Sequence, residues 1–156
     1  MQRDFLNIGE VKVYHQPTVL SCYGLGSCVC VYLYDYVNKL GGGAHIALPY
    51  PHHQNEDANP LLYAENAIRE LIQQMKLKAK TPFSSLRAKI IGGANVVNSD
   101  QYKIGITNYD VTRKLLLENG VFIAAEDVGG NVYRSGKFVT HTGDLTIHSN
   151  SIQYSL

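Results

Sequence analysis

The chain has no excess of either charge and no long apolar run. A net charge of +1 over 156 residues gives neither the basic surface of a nucleic-acid binder nor a polybasic membrane patch. No apolar stretch approaches the ~20 residues that a membrane-crossing helix needs, so membrane insertion is not expected. The opening residues Met1-Gln2-Arg3-Asp4-Phe5-Leu6-Asn7 lack the apolar core of a secretory leader. Cysteine is scarce: three residues, crowded at Cys22, Cys28 and Cys30. An odd count so placed is no disulfide framework and points to a reducing, cytoplasmic setting. Six histidines occur without zinc-finger spacing, and the adjacent His52 and His53 are poorly placed to share one metal. Neither Gly92-Gly93 nor Gly129-Gly130 opens a helix as a nucleotide loop does. No metal or cofactor is implied. No repeat, low-complexity tract or boundary interrupts the chain, so residues 1–156 read as one domain.

What is present is mostly strand. Glu10 to His15 alternates, with Val11 and Val13 on one side and Lys12 and Tyr14 on the other. Thr18 to Tyr23 and Ser27 to Tyr34 are β-branched and aromatic runs. Between them Gly24-Leu25-Gly26 reads as a tight connection that pairs the two strands. Leu40 to Leu48 is a glycine-rich apolar strand ended by Pro49. Residues 50–59 read as a surface loop. A helix follows, with Asn59 as N-cap and Pro60 at its first position. Leu61, Ala64, Ile68, Leu71, Ile72 and Met75 recur at helical spacing, and the helix fades near Lys80. Leu86 to Ile91 is a strand. A second helix is expected from about Asn108 to Glu118, with Asn119-Gly120 closing it. Val121 to Ala125 reads as a buried strand, and Lys137 to His141 with Asp144 to His148 as a hairpin. Seven to nine strands and two helices in mixed order predict an α+β domain, not a doubly wound parallel sheet. The last few residues are expected to be loose.

The chemistry concentrates in Gly24-Leu25-Gly26-Ser27-Cys28 and Gly41-Gly42-Gly43-Ala44-His45. A cysteine becomes a nucleophile when a nearby imidazole takes its proton. Cys28 begins its strand, where a substrate can reach it; Cys30 lies deeper and reads as core. The glycines before His45 clear space around its ring. Gly26 and Ser27 leave backbone N–H groups free to face an oxyanion. If Leu25 centres a turn, Cys22 and Cys28 flank it symmetrically, with Cβ atoms roughly 5 Å apart. Cys22 is then ordinary packing or a resolving thiol for Cys28. Gly92-Gly93-Ala94-Asn95 and Ala125-Glu126-Asp127-Val128-Gly129-Gly130-Asn131 fit either turn chemistry or ligand contact.

Taken together these blocks resemble the CheD family of chemoreceptor glutamine deamidases. The resemblance rests on Gly24-Leu25-Gly26-Ser27-Cys28-Val29 and on Ala44-His45 before Leu48-Pro49. It continues through Lys89-Ile90-Ile91-Gly92-Gly93-Ala94, Ile104-Gly105 with Asn108, and the Ala125 to Asn131 block with Arg134-Ser135. It implies mixed β-sheets packed together with helices outside, similar to the catalytic domain of the cytotoxic necrotizing toxins. It implies Cys28 as nucleophile and His45 as base. The implied substrates are glutamine side chains, and in some members glutamate methyl esters, on methyl-accepting chemotaxis receptors. A CheC-like phosphatase is the implied second partner. The family's third catalytic position, six residues before the nucleophile, usually carries threonine; here it is Cys22, a weaker acceptor for the imidazole. That departure leaves two alternatives: an adaptor that binds receptors or CheC without turnover, and a redox sensor through Cys22 and Cys28.

Overall fold

In the Gly24 to Cys28 segment the chain leaves one β-sheet and enters another, and this crossing organises the molecule. The computed structural model describes residues 1–51, 59–83, 86–96 and 103–156. Among them are ten strands and two α-helices. The first sheet orders β1 (Gln2–Phe5), β3 (Thr18–Leu25), β8 (Arg134–Val139), β9 (Leu145–Ser149) and β10 (Ile152–Ser155). The second orders β2 (Val11–Tyr14), β5 (Leu40–Ile46), β4 (Val29–Asp35), β6 (Arg87–Gly92) and β7 (Phe122–Val128). Each sheet is mixed: β1 runs parallel to β3 and β6 parallel to β7, and the other pairings are antiparallel. The α+β expectation holds.

Alternation along β4 explains the layering. Val29, Val31 and Leu33 enter one apolar cluster with Ile68, Leu71 and Met75 of α1 (Ala64–Lys78) and with Val111 and Leu116 of α2 (Ile104–Glu118). Cys30, Tyr32 and Tyr34 enter a second cluster with Leu20, Cys22, Phe138 and Ile147 of the facing sheet. So β4 is buried on both faces, sheet against sheet on one side and sheet against helices on the other. Tyr32 stacks on Phe138 across the sheet–sheet layer, ring centroids 4.7 Å apart.

Several expectations are corrected. Gly24-Leu25-Gly26 does not pair its flanking strands; β3 pairs with β1 and β8, while β4 pairs with β5 and β6. Cys22 lies opposite Gly136, not Cys28. Leu25, expected at a turn tip, is fully buried, and that burial is what carries the chain from one layer to the other. The first helix begins with a separate 3-10 turn, Pro60–Leu62, capped by the Asn59 side chain, before α1 starts at Ala64. The second helix starts at Ile104, four residues earlier than its pattern suggests, because no side-chain cap marks its start. The strand expected at Val121 to Ala125 runs Phe122–Val128 along a sheet edge, and Phe122 is exposed. The C-terminal residues are not loose: β10 pairs with β9. The cysteines, read strand by strand, include a pair, Cys22 and Cys30, whose sulfurs meet between the two sheets with their Cα atoms 7.3 Å apart. Two side chains on facing strands meet there in a dry layer, an encounter that strand-by-strand reading does not supply.

Candidate active site

Cys28 sits just before β4, half-buried, and is the free thiol among the described cysteines. Its turn is held at every carbonyl. Ala94 N–H donates to Gly26 O at 2.8 Å, Asn108 Nδ2 to Ser27 O at 3.0 Å, and Gly93 N–H to Cys28 O at 2.8 Å. Gly92 and Gly93 both take positive φ, +105° and +63°, and a Cβ on Gly92 would run into the Cys28 carbonyl. Glycine is therefore required for the end of β6 to approach the turn. Among the described residues the N–H groups of Ser27 and Cys28 find no acceptor.

His45 lies on β5, directly across from Cys30 on β4. Extending that register past Val29↔Ile46 sets Cys28 opposite Ala47 and diagonal to His45. Cys28 packs against the same cluster as Cys30, so thiol and imidazole share one face. Diagonal neighbours on one face lie roughly 7 Å apart at Cα, a gap that a cysteine and an imidazole can close.

The other ring nitrogen is fixed. His45 Nδ1 lies 3.0 Å from Leu6 O and 3.4 Å from Cys22 Sγ. A carbonyl oxygen only accepts, so Nδ1 carries the hydrogen and Nε2 keeps the lone pair. Leu6 is held in turn by its N–H donating to Ser21 O at 2.7 Å and by a buried side chain. Burial pushes the His45 pKa below its ordinary 6.5, against the opposing pulls of the Leu6 hydrogen bond and the Glu10 charge. Burial likewise pushes the Cys28 thiol above 9.0. Burial thus favours the neutral form of both groups.

The structure brings Cys22 to His45 but not by the expected route; it reaches the ring from the facing sheet. Ser21 is buried on the opposite side of β3. Cys22, Cys30 and His45 offer ligand atoms within 4.8 Å of one another. Joined as a disulfide the two sulfurs would form a redox couple, and the hydrogen that Nδ1 gives to Leu6 O keeps that nitrogen from acting as a metal donor beside them. The α1 helix packs on the opposite face of the second sheet from Cys28 and His45. Residues 52–58 of the expected surface loop, with His52 and His53, lie outside the described residues. Two contributors escaped residue-type reading. Leu6 acts through a backbone carbonyl, which no side-chain pattern reveals. Asn108 had a visible signal, a polar residue on the apolar stripe of Val111 and Leu115.

Fold and site together define an α+β domain whose half-buried thiol and oriented imidazole share the end of a central strand pair. Residues 47–149 match the family model CheD, described as chemotactic sensory transduction. The probable chemoreceptor glutamine deamidase CheD of Caldanaerobacter subterraneus is 37% identical over 153 residues, covering 94% of this chain and 94% of that protein. The chemoreceptor glutamine deamidase CheD of Thermotoga maritima is 37% identical over 142 residues, covering 91% of this chain and 88% of that protein. Among solved structures, a Neisseria meningitidis protein of family DUF152 superposes with a TM-score of 0.49 at 13% identity, covering 84% of this chain and 63% of that one. The chain belongs to the CheD family.

Proposed function

We propose that this chain hydrolyses glutamine side chains of chemoreceptors to glutamate, with residues 1–156 acting as one deamidase domain. The observation that carries this reading is the Leu6 carbonyl on His45 Nδ1, which leaves Nε2 with its lone pair free to act as a base, on the strand diagonal to Cys28. Nε2 takes the Cys28 proton, and the sulfur attacks the amide carbon. The N–H groups of Ser27 and Cys28 hold the oxyanion, each worth roughly 3 kcal/mol to the transition state. The tetrahedral species collapses as the imidazolium protonates the departing ammonia, leaving a thioester. Water, deprotonated by Nε2, then hydrolyses the thioester, releasing glutamate and the thiol. A methyl ester would follow the same path with methanol leaving. The third catalytic position is shared between Cys22 and the Leu6 carbonyl, so the weak acceptor at Cys22 is not the ring's only support.

The receptor's cytoplasmic region is the proposed substrate, a CheC-like phosphatase the proposed second partner, and the cytoplasm the proposed location. No described helix is long and apolar enough to cross a membrane. The test is incubation with a receptor cytoplasmic fragment, read by mass spectrometry for amide-to-acid conversion. The intact protein is expected to convert the fragment and Cys28→Ala to leave it unchanged. Conversion by Cys28→Ala would remove the proposed nucleophile. Receptor binding without conversion by the intact protein would make it an adaptor.

A further inference from the structure

We infer that Asn108 is a positioning residue for the oxyanion site: through its two amide hydrogens it fixes the peptide plane that aims the Cys28 N–H. The inference rests on the reading of Cys28 as an acyl-transfer nucleophile. Asn108 is fully buried in α2. Its Nδ2 donates to Ser27 O at 3.0 Å and to Ala47 O at 2.9 Å. Ser27 precedes the nucleophile, and Ala47 stands two residues beyond the base. The β4–β5 ladder ends at Val29↔Ile46. One step further out, the Asn108 amide bridges the two strands where the ladder supplies no rung.

The peptide bond makes this contact directional. In a trans peptide the carbonyl and the following N–H point opposite ways in one plane. Ser27 C=O and Cys28 N–H share that plane. Holding the oxygen on Asn108 therefore points the Cys28 N–H away from α2, and among the described residues that N–H has no acceptor. The bond from Ala94 N–H to Gly26 O orients the Ser27 N–H in the same manner.

The residue type fits this task and little else. Both acceptors are carbonyls, so the side chain must supply two donors without a buried charge, and a primary amide does so. Asparagine is a poor helix former, and its Oδ1 is buried without a partner among the described residues. A residue kept only for packing would be apolar at this position.

Two reagents on the same thiol separate this role from a merely structural one. p-Nitrophenyl acetate acylates Cys28 through a tetrahedral oxyanion: the C–S bond forms, p-nitrophenolate leaves, and the proton goes to His45. Iodoacetamide alkylates the same sulfur by direct displacement of iodide, with no oxyanion. Asn108→Ser, corrected for the Cys28→Ala background, is expected to slow acylation about 10- to 100-fold while alkylation stays within about threefold of the wild type. Equal loss in both reactions would make Asn108 a packing residue, and no loss in either would make it irrelevant; each overturns the inference. If Asn108→Ser does not fold, Asn108→Asp keeps the side-chain volume, cannot donate to both carbonyls at once and is held to the same ratio. The ratio needs no receptor, so failure to deamidate receptors would sink the proposed substrate and leave this inference to its own result.

Discussion

At His45, burial and the Leu6 carbonyl act in opposite directions, and burial prevails. The sign of the pH dependence follows. A ring whose pKa lies below 6.5 is neutral, and able to accept the Cys28 proton, through the neutral range. Activity should therefore fall only as pH drops beneath 6.5, and should hold a plateau on the alkaline side, where the thiol stays protonated past 9.0. A kcat/KM profile with its acid limb at or above 6.5 would contradict this placement of the ring. Stability moves the same way: beneath 6.5 the unfolded imidazole takes its proton first, so the folded state loses ground. Sequence reading reached Cys28 and His45 because a cysteine just beyond a glycine turn and a histidine just beyond a glycine run are chemically loaded patterns. It missed Leu6 because a backbone carbonyl has no residue-type signature. It read Cys22 from a symmetrical turn, whereas Cys22 reaches the ring from another sheet.

At the scale of elements, α2 matters more than its polar sequence suggested. Its first turn lies against the end of β6 with no room for a methyl group: a Cβ on Gly105 would stand 2.7 Å from Gly93 O, a backbone atom that cannot swing aside. Alanine would add up to about 1 kcal/mol of helix propensity, but the clash is of the overpacking kind, costing roughly 1–3 kcal/mol. Gly105→Ala is expected to lower Tm by about 3–10 °C, measured by calorimetry, and to slow Cys28 acylation because Gly93 and Ala94 hold the turn. An unchanged or raised Tm would mean that β6 and α2 separate easily. β2, by its alternation, and β4, by its continuous β-branched and aromatic run, were legible. β1 (Gln2–Phe5) and β10 (Ile152–Ser155) were not, because they are exposed edge strands joined through backbone pairing rather than a buried face. The start of α2 was hidden for a related reason: Lys103 offers no side-chain cap.

For the whole molecule the governing fact is that one thin layer between two sheets carries both stability and the site. Cys22 and Cys30 join that layer across a sequence separation of 8 residues. A Cys22–Cys30 disulfide closing so short a loop would restrict the unfolded chain by about 2–3 kcal/mol. Adding a reductant should then lower Tm by roughly 5–10 °C in the wild type and leave Cys30→Ala unaffected, as read by thermal melts with and without reductant. A wild type indifferent to reductant would show that the pair exists as two thiols. Sheet composition was legible in outline, as mixed sheets with helices outside. The layer assignment was not, because β4 is apolar on both faces and a doubly buried strand gives no sign of which neighbour lies on which side.

The parts of the nucleophile's turn are also spread unevenly along the chain. Leu6, Cys22, Cys28 and His45 all leave the ribosome early, whereas Gly93, Ala94 and Asn108, which grip the three carbonyls around Cys28, emerge much later. Until they arrive the cysteine of a nascent chain is an ordinary thiol beside an ordinary ring. On the proposed reading of Cys28, the grip on its turn is therefore complete only once the second half of the chain has been made.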